Sequence, residues 1–266
     1  MTYGGSRWLC LAGLVLECSM ATVDHQASAV DLDGEDLGIT VDFTYASKYL
    51  WHGIDVFDDH GAYQPAVFFN YRNFFGGVWN SWPTTSGFED WKEVDLFFGF
   101  TETCFEKERY AVISKIDYWY VSHPSSDGSN DVQQVSCQLS MPNLFPIGSS
   151  SLIPSYAIFH AGKGLRGKNT IDDGWFQTFA LSYEFLVPAL VPAQEKQPLT
   201  VSWDLNFNDG VFGGDSGLSH TTLNLSTVFT SGRMYVSPAI HYQWSFLDTV
   251  NPEDEFYFTI GMGYRF

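Results

Sequence analysis

The sequence of 266 residues is strongly acidic, with a net charge of −18, and 17% of its residues are aromatic. Such an excess of acidic residues argues against binding to nucleic acids, whose phosphates attract basic surfaces. The mean hydropathy is −0.09, and no apolar run reaches the ~18 residues of a membrane-spanning helix. A membrane β-barrel is compatible with these values, because every second residue of its strands is polar.

The first 29 residues have the organisation of a secretory signal. Arg7 supplies a positive charge, an apolar stretch follows over residues 8–16, and Ala27-Ser28-Ala29 has the small-x-small form of a cleavage site. We therefore expect a signal peptide over residues 1–29 and one domain over residues 30–266. Cleavage would leave Cys104 and Cys137, and an oxidising compartment is compatible either with a disulfide between them or with two separate thiols.

From residue 38 onward, apolar and polar side chains alternate in repeated runs. In one run, Val201, Trp203 and Leu205 alternate with Ser202 and Asp204. Successive side chains of a strand point to opposite faces, and ~9–11 residues cross a bilayer as a tilted strand. The pattern predicts an all-β fold, namely a transmembrane antiparallel up-and-down β-barrel of about twelve strands. The predicted strands are residues 38–51, 63–72, 74–82, 92–101, 110–121, 133–141, 151–160, 175–186, 198–208, 219–229, 233–244 and 255–266.

The predicted connections are of two alternating kinds. One set is short or basic, whereas the other is longer, acidic and rich in Gly, as in residues 53–63, 122–132 and 245–254. Long loops of outer-membrane barrels face the exterior and short turns face the periplasm. With an even number of strands, both termini are expected in the periplasm of a bacterial outer-membrane protein. The acidity of the outer loops fits simple solubility, a funnel for cations, or divalent-cation bridging to lipid head groups.

Three segments near the start of the predicted barrel form a motif: Ser47-Lys48-Tyr49-Leu50-Trp51-His52-Gly53, Tyr63-Gln64-Pro65 and Phe75-Gly76-Gly77-Val78-Trp79-Asn80-Ser81. Together they resemble the opening of the TorF family of porins. The resemblance covers about 35 residues and implies an outer-membrane barrel without implying a substrate. His52 stands where that family usually has Arg. From their position at the end of the first predicted strand, we expect Tyr49 and Trp51 at the outer membrane interface, where amphipathic aromatic side chains are favoured.

The polar face of the predicted strands should line the bore, because a charge on the lipid face costs ~2–4 kcal/mol at midplane. Acidic residues outnumber basic ones on this face. The first interpretation is a porin-like channel for passive diffusion of small hydrophilic solutes that favours cations. The alternative is a closed barrel, filled by internal salt bridges, whose acidic loops bind ions, lipid head groups or a partner. The predicted pore-lining residues are Asp42, Lys48, Glu93, Asp95, Lys115, Asp117, Glu184, Asp204, Asn206, Asn224, His241 and Gln243.

The chain ends on an aromatic residue, as outer-membrane barrels commonly do for recognition during assembly. We predict that Phe266 and Tyr264 form this signal for the barrel assembly machinery. No catalytic residue, metal or cofactor is predicted. The nearest approach to a Ser-His hydrolase set, His123-Pro124-Ser125-Ser126, lies in a predicted loop and not on a strand. The expected partners are outer-membrane lipid and small hydrophilic solutes or cations, and association into a homo-oligomer stays open.

Overall fold

The computed structural model describes residues 30–32, 35–148, 150–165, 172–192 and 194–266. The predicted signal peptide, residues 1–29, lies outside these described residues. Within them, no helix combines the length and the apolar character needed to cross a membrane.

Twelve long strands form the wall of the molecule. Shorter strands at Val30–Leu32, Phe145–Ile147 and Phe229–Ser231 extend the sheet at its turns. The long strands are β1 Glu35–Ala46, β2 Ala62–Tyr71, β3 Phe74–Pro83, β4 Glu93–Cys104, β5 Val112–Ser122, β6 Val132–Ser140, β7 Ser150–Lys163, β8 Gly174–Pro188, β9 Lys196–Asp209, β10 Ser216–Thr227, β11 Met234–Ser245 and β12 Glu255–Arg265.

The twelve strands close into an antiparallel barrel. Each pairs with its neighbour in sequence, and β1 pairs with both β2 and β12. Thr44 of β1, for example, lies opposite Gln64 on one side and Gly261 on the other. The predicted all-β fold, the closed barrel and the strand number are therefore confirmed.

Side chains along the wall alternate between an apolar outside and the bore. On β4, Leu96 and Phe98 are 55% and 63% exposed, whereas their neighbours Asp95 and Phe97 are 1% and 4% exposed. An exposed apolar belt around a closed sheet is the surface that a bilayer covers. The bore, in contrast, holds nearly all the buried polar side chains, so the protein has its core where an open pore would have water.

The first strand ends earlier than predicted, at Ala46 and not at residue 51. The chain then turns into the bore, where Leu50–Trp51 pairs with Ile54–Asp55. His52 and Gly53 connect the two, with φ of 48° and 88°. Positive φ at both positions is the geometry of the type I′ turn, which suits two-residue hairpins. We call residues 47–61 the inner hairpin.

The predicted interfacial position of Tyr49 and Trp51 is therefore wrong. Tyr49 is buried and Trp51 half-buried inside the barrel, packed against the inner side of the wall. Sequence alternation continues through residue 51, but the His52-Gly53 turn reverses the chain within the bore. The family-like motif at this point thus encodes a hairpin and not the end of a spanning strand.

Candidate functional site: the bore and its inner hairpin

The tip of the inner hairpin crosses the bore and binds strands on its far side. The Nε2 of His52 lies 2.9 Å from Gln134 Oε1 of β6, and the amide oxygen makes the ring nitrogen the donor. The imidazole stacks on Phe176 of β8 at 4.0 Å and 6°, and meets the edge of Phe159 of β7 at 5.2 Å. Burial lowers the pKa of His52 to about 4, although its bond to Gln134 acts in the opposite direction. At neutral pH the imidazole at the tip is therefore uncharged.

A β-bulge in the wall provides the seat for Gly53. The register between β9 and β10 shifts at Asn206 and Phe207, so Ser219 and His220 are both buried on the inside. A bulge of this kind redirects side chains. A Cβ on Gly53 would collide with the His220 ring, and the positive φ also favours glycine there. The carbonyl oxygen of Gly53 accepts a hydrogen bond from Gln243 Nε2 at 3.1 Å.

The base of the inner hairpin is held by charge. The ammonium of Lys48 binds Glu255 of β12 at 2.5 Å and also binds Asp59. Burial lowers the pKa of Lys48, but the two carboxylates outweigh it and hold the pKa above its usual value. One oxygen each of Asp55, Asp59 and Glu255 lie within 4.8 Å of one another, close enough to reach one metal ion. In the structure the Lys48 ammonium supplies the positive charge at this cluster.

Tyr49 links the hairpin to strands β3 and β4. Its hydroxyl donates to Glu93 Oε2 of β4 at 2.8 Å, and its ring lies 5.9 Å from that of Trp79. Glu93 in turn lies 3.4 Å from His123 Nε2. His123 lies in a loop, as predicted, but its ring is buried beside Glu93. The Ser126 hydroxyl donates to the backbone carbonyl of His123, so it does not form a Ser–His pair with the ring.

One side of the bore is filled by aromatic rings. The rings of Phe97 and Trp119 stack at 4.2 Å and 13°, and Tyr49 and Phe57 of the hairpin pack against the same cluster. We call these inward rings of β2–β5 the aromatic wall: Phe68, Phe75, Trp79, Phe97 and Trp119.

The opposite side, on β8–β11, is filled by hydrogen-bonded polar groups. Asn206 Nδ2 donates to Asp204 Oδ1 at 2.5 Å, and Thr178 Oγ1 donates to Asn206 Oδ1 at 2.5 Å. Asn224 Oδ1 lies 2.6 Å from the Nδ1 of His241, which donates to it. We call this surface the polar wall: Thr178, Ser182, Ser202, Asp204, Asn206, Thr222, Asn224, His241 and Gln243.

The bore is less densely filled at the end where β2 turns into β3. Toward that end the inward side chains become half-exposed, including Asp42, Glu184 and Asn224. Asp42 accepts hydrogen bonds from Tyr235 Oη at 2.5 Å and from Thr44 Oγ1 at 3.0 Å. The bore thus has a partly open section at this end, which we call the inner vestibule. Toward the opposite mouth it is occupied by side chains and the inner hairpin.

The structure places the strand-borne members of the predicted pore-lining set on the inside of the wall. Lys48 lies at the base of the inner hairpin. They do not form one site. Glu93, Asp95 and Asp117 adjoin the aromatic wall, and Asp117 binds Lys115 at 2.9 Å. Asp204, Asn206, Asn224, His241 and Gln243 belong to the polar wall, whereas Asp42 and Glu184 face the inner vestibule. Whether any of them lines a conducting path stays a prediction.

Two groups at the centre of the site were not predicted, namely His52 and His220. For His220 the available signal was alternation, because His220 and Asn224 share the parity that places side chains on the inward face. A two-residue His-Gly turn between short apolar runs was the signal for an inward hairpin.

The two cysteines of the described residues do not pair. Cys104 and Cys137 are free and exposed. Cys137 lies on the outer face, in an apolar depression of about 670 Å³ between β5 and β8 that also contains Ile116, Val135 and Trp175. This depression lies on the apolar outer face of the barrel and is separate from the bore.

Comparisons with known proteins support the fold. No family model and no curated protein matches the chain, so the likeness to the TorF family is not confirmed. Among solved structures, the chain is similar to the KdgM porin, with a TM-score of 0.54 over 85% of this chain and 99% of that one, at 9% identity. It is also similar to the NanC porin, with a TM-score of 0.51 over 85% and 98%, at 8% identity. At these identities, the similarity shows a porin-type barrel and leaves the solute open.

Proposed function

We propose that the protein is an outer-membrane channel for passive diffusion of small hydrophilic solutes, with a preference for cations. The carrying observation is the uncompensated acidity of the bore. Asp42 and Glu184 face inward, are half-exposed and have no ion-pair partner among the described residues. An acidic, confined cavity raises the local concentration of cations. The barrel fold favours a channel over an enzyme.

The test is a current measurement across a planar bilayer with a salt gradient. The reversal potential should show cation preference, and the preference should be greater at low salt, because the Debye length falls to ~3 Å at 1 M. A conducting barrel without any cation preference would contradict the acidic-bore argument.

A closed barrel is the second candidate, and the inner hairpin is the observation that favours it. Its contacts reach β3, β4, β6–β8 and β10–β12 across the outer bore. A variant in which Gly-Ser-Gly replaces residues 49–59 separates the two candidates. If this variant folds but gives no current, the bore is closed by the wall itself and the channel proposal fails.

The proposed location is the bacterial outer membrane, with both termini in the periplasm and lipid around the apolar belt. The proposed assembly signal is Phe266 with Tyr264, whose rings lie 4.8 Å apart at the end of β12. Phe266→Asp should lower the folded yield in cells, measured as heat-modifiable mobility on unboiled gels. Normal yield from this variant would remove the assembly role.

A further inference from the structure

Two histidines meet where the tip of the inner hairpin rests on the wall. His52 belongs to the hairpin and His220 to β10, and they are 3% and 2% exposed. His220 packs against Gly53, the residue next to His52. The Nε2 of His220 has no hydrogen-bond partner among the described residues. Two neutral imidazoles fit in this place, but two charged ones would repel each other in a site that water does not reach.

We propose that the inner hairpin is a gate, and that protonation of His52 and His220 releases its tip from the bore. This rests on the proposed channel function and adds its regulation, namely opening in mildly acidic surroundings.

The geometry allows the tip to move while the ends stay fixed. At one end, Ser47 N–H donates to Phe258 O at 2.9 Å, and Phe258 N–H donates to Ser47 Oγ at 2.9 Å. At the other end, Thr84 N–H donates to Gly61 O at 2.8 Å. The tip itself is held by ring stacking and by the single bonds of His52 to Gln134 and of Gln243 to Gly53. Water can replace both hydrogen bonds after release.

The direction of the pH effect follows from burial. Seated, His52 has a pKa of about 4, whereas a histidine in water has a pKa of ~6.5. Between these two pH values the released hairpin therefore binds more protons than the seated one. The seated state is most stable above pH 6.5 and loses stability as the pH falls. For His52 alone, the ratio of released to seated hairpins should rise about 20-fold between pH 7 and pH 5.

The expected pH dependence does not come from the other groups that contact the tip. Gln134, Phe159 and Phe176, which pack on His52 from β6, β7 and β8, are not titratable, and β10 contributes His220. Carboxylates also bind the hairpin further from the tip. Glu93 accepts a hydrogen bond from Tyr49, and Glu255 binds Lys48, which also binds Asp59 of the hairpin itself. Asp55 also lies near the base, where burial raises its pKa in spite of N–H donors from Phe57 and Asp59. A substitution at His52 separates its proton uptake from theirs.

The experiment measures KCl current through the full-length barrel in planar bilayers at pH 7 and pH 5. The wild-type current should rise strongly at pH 5, whereas His52→Phe, which keeps a ring on Phe176, should lose most of the rise. The matched control is His160→Phe, because His160 lies on the outer side of the wall against Trp175 and should behave as wild type. An equal rise in His52→Phe and wild type would overturn the proposal.

A second measurement does not depend on conduction. Hydrogen–deuterium exchange of residues 48–60, corrected for the intrinsic rate at each pH, should be faster at pH 5 than at pH 7 in the wild type and nearly unchanged in His52→Phe. If the hairpin-deleted barrel conducts while the wild-type current and exchange do not depend on pH, the proposed gate is wrong and the proposed channel is retained. If no variant conducts but exchange of the wild-type hairpin is faster at pH 5, the proposed channel is wrong and the release of the hairpin at low pH is retained.

Discussion

The aromatic wall and the polar wall fill opposite sides of the same bore by different means. On β2–β5, rings such as Phe97 and Trp119 stack directly, and the stacked ring faces offer water no hydrogen-bond partner. On β8–β11, groups such as Asp204 and Asn206 hold each other by hydrogen bonds that water or a polar solute can replace. The aromatic wall therefore acts as a hydrophobic core inside the barrel, and any solute path should follow the polar wall.

Truncation of one large side chain in the aromatic wall should give the largest effect. Trp119→Ala removes the ring stacked on Phe97 and should lower the free energy of unfolding by about 3–5 kcal/mol. Asn224→Ala in the polar wall should cost about 1 kcal/mol, because Asn224 is half-exposed and water can bind His241 in its place. Urea titrations followed by gel mobility of unboiled samples measure both. Equal losses would show that the two walls do not differ as described.

The packing of the polar wall can be tested by placing an arginine on the outward or the inward face of β9. Val201→Arg places a cation in lipid and should cost up to about 2–4 kcal/mol, whereas Thr200→Arg enters the inner vestibule and should fold. Arg at Asn206 also faces inward, but it should fold poorly because Asn206 is buried among Asp204 and Thr178. Folded yield in lipid vesicles is the measurement. Normal folding of Asn206→Arg would show that the polar wall is loosely filled.

The sequence predicted the wall much better than the bore. Alternation of side chains along β9 and β12 is a local property, so it determines which face meets lipid and how many strands there are. The contents of the bore depend on contacts between distant residues, such as Tyr49 with Glu93 or Gly53 with Gln243. Alternation assigned Phe97 to the inward face together with Asp95, but it does not show that rings from four strands meet there. The bulge at Ser219 likewise depends on pairing with β9.

The smallest expected effect is on ion selectivity, and it distinguishes the two walls by function. Glu184→Gln and Asp42→Asn each remove a half-exposed carboxylate from the inner vestibule, so the cation preference measured from the reversal potential should fall toward unity. Asp95→Asn, at 1% exposure beside the aromatic wall, should leave it unchanged, because a permeating ion does not approach that carboxylate. The outcome that would contradict this assignment is loss of selectivity in Asp95→Asn with none in Glu184→Gln. The ions would then pass along the aromatic wall, and its rings would have to separate during conduction.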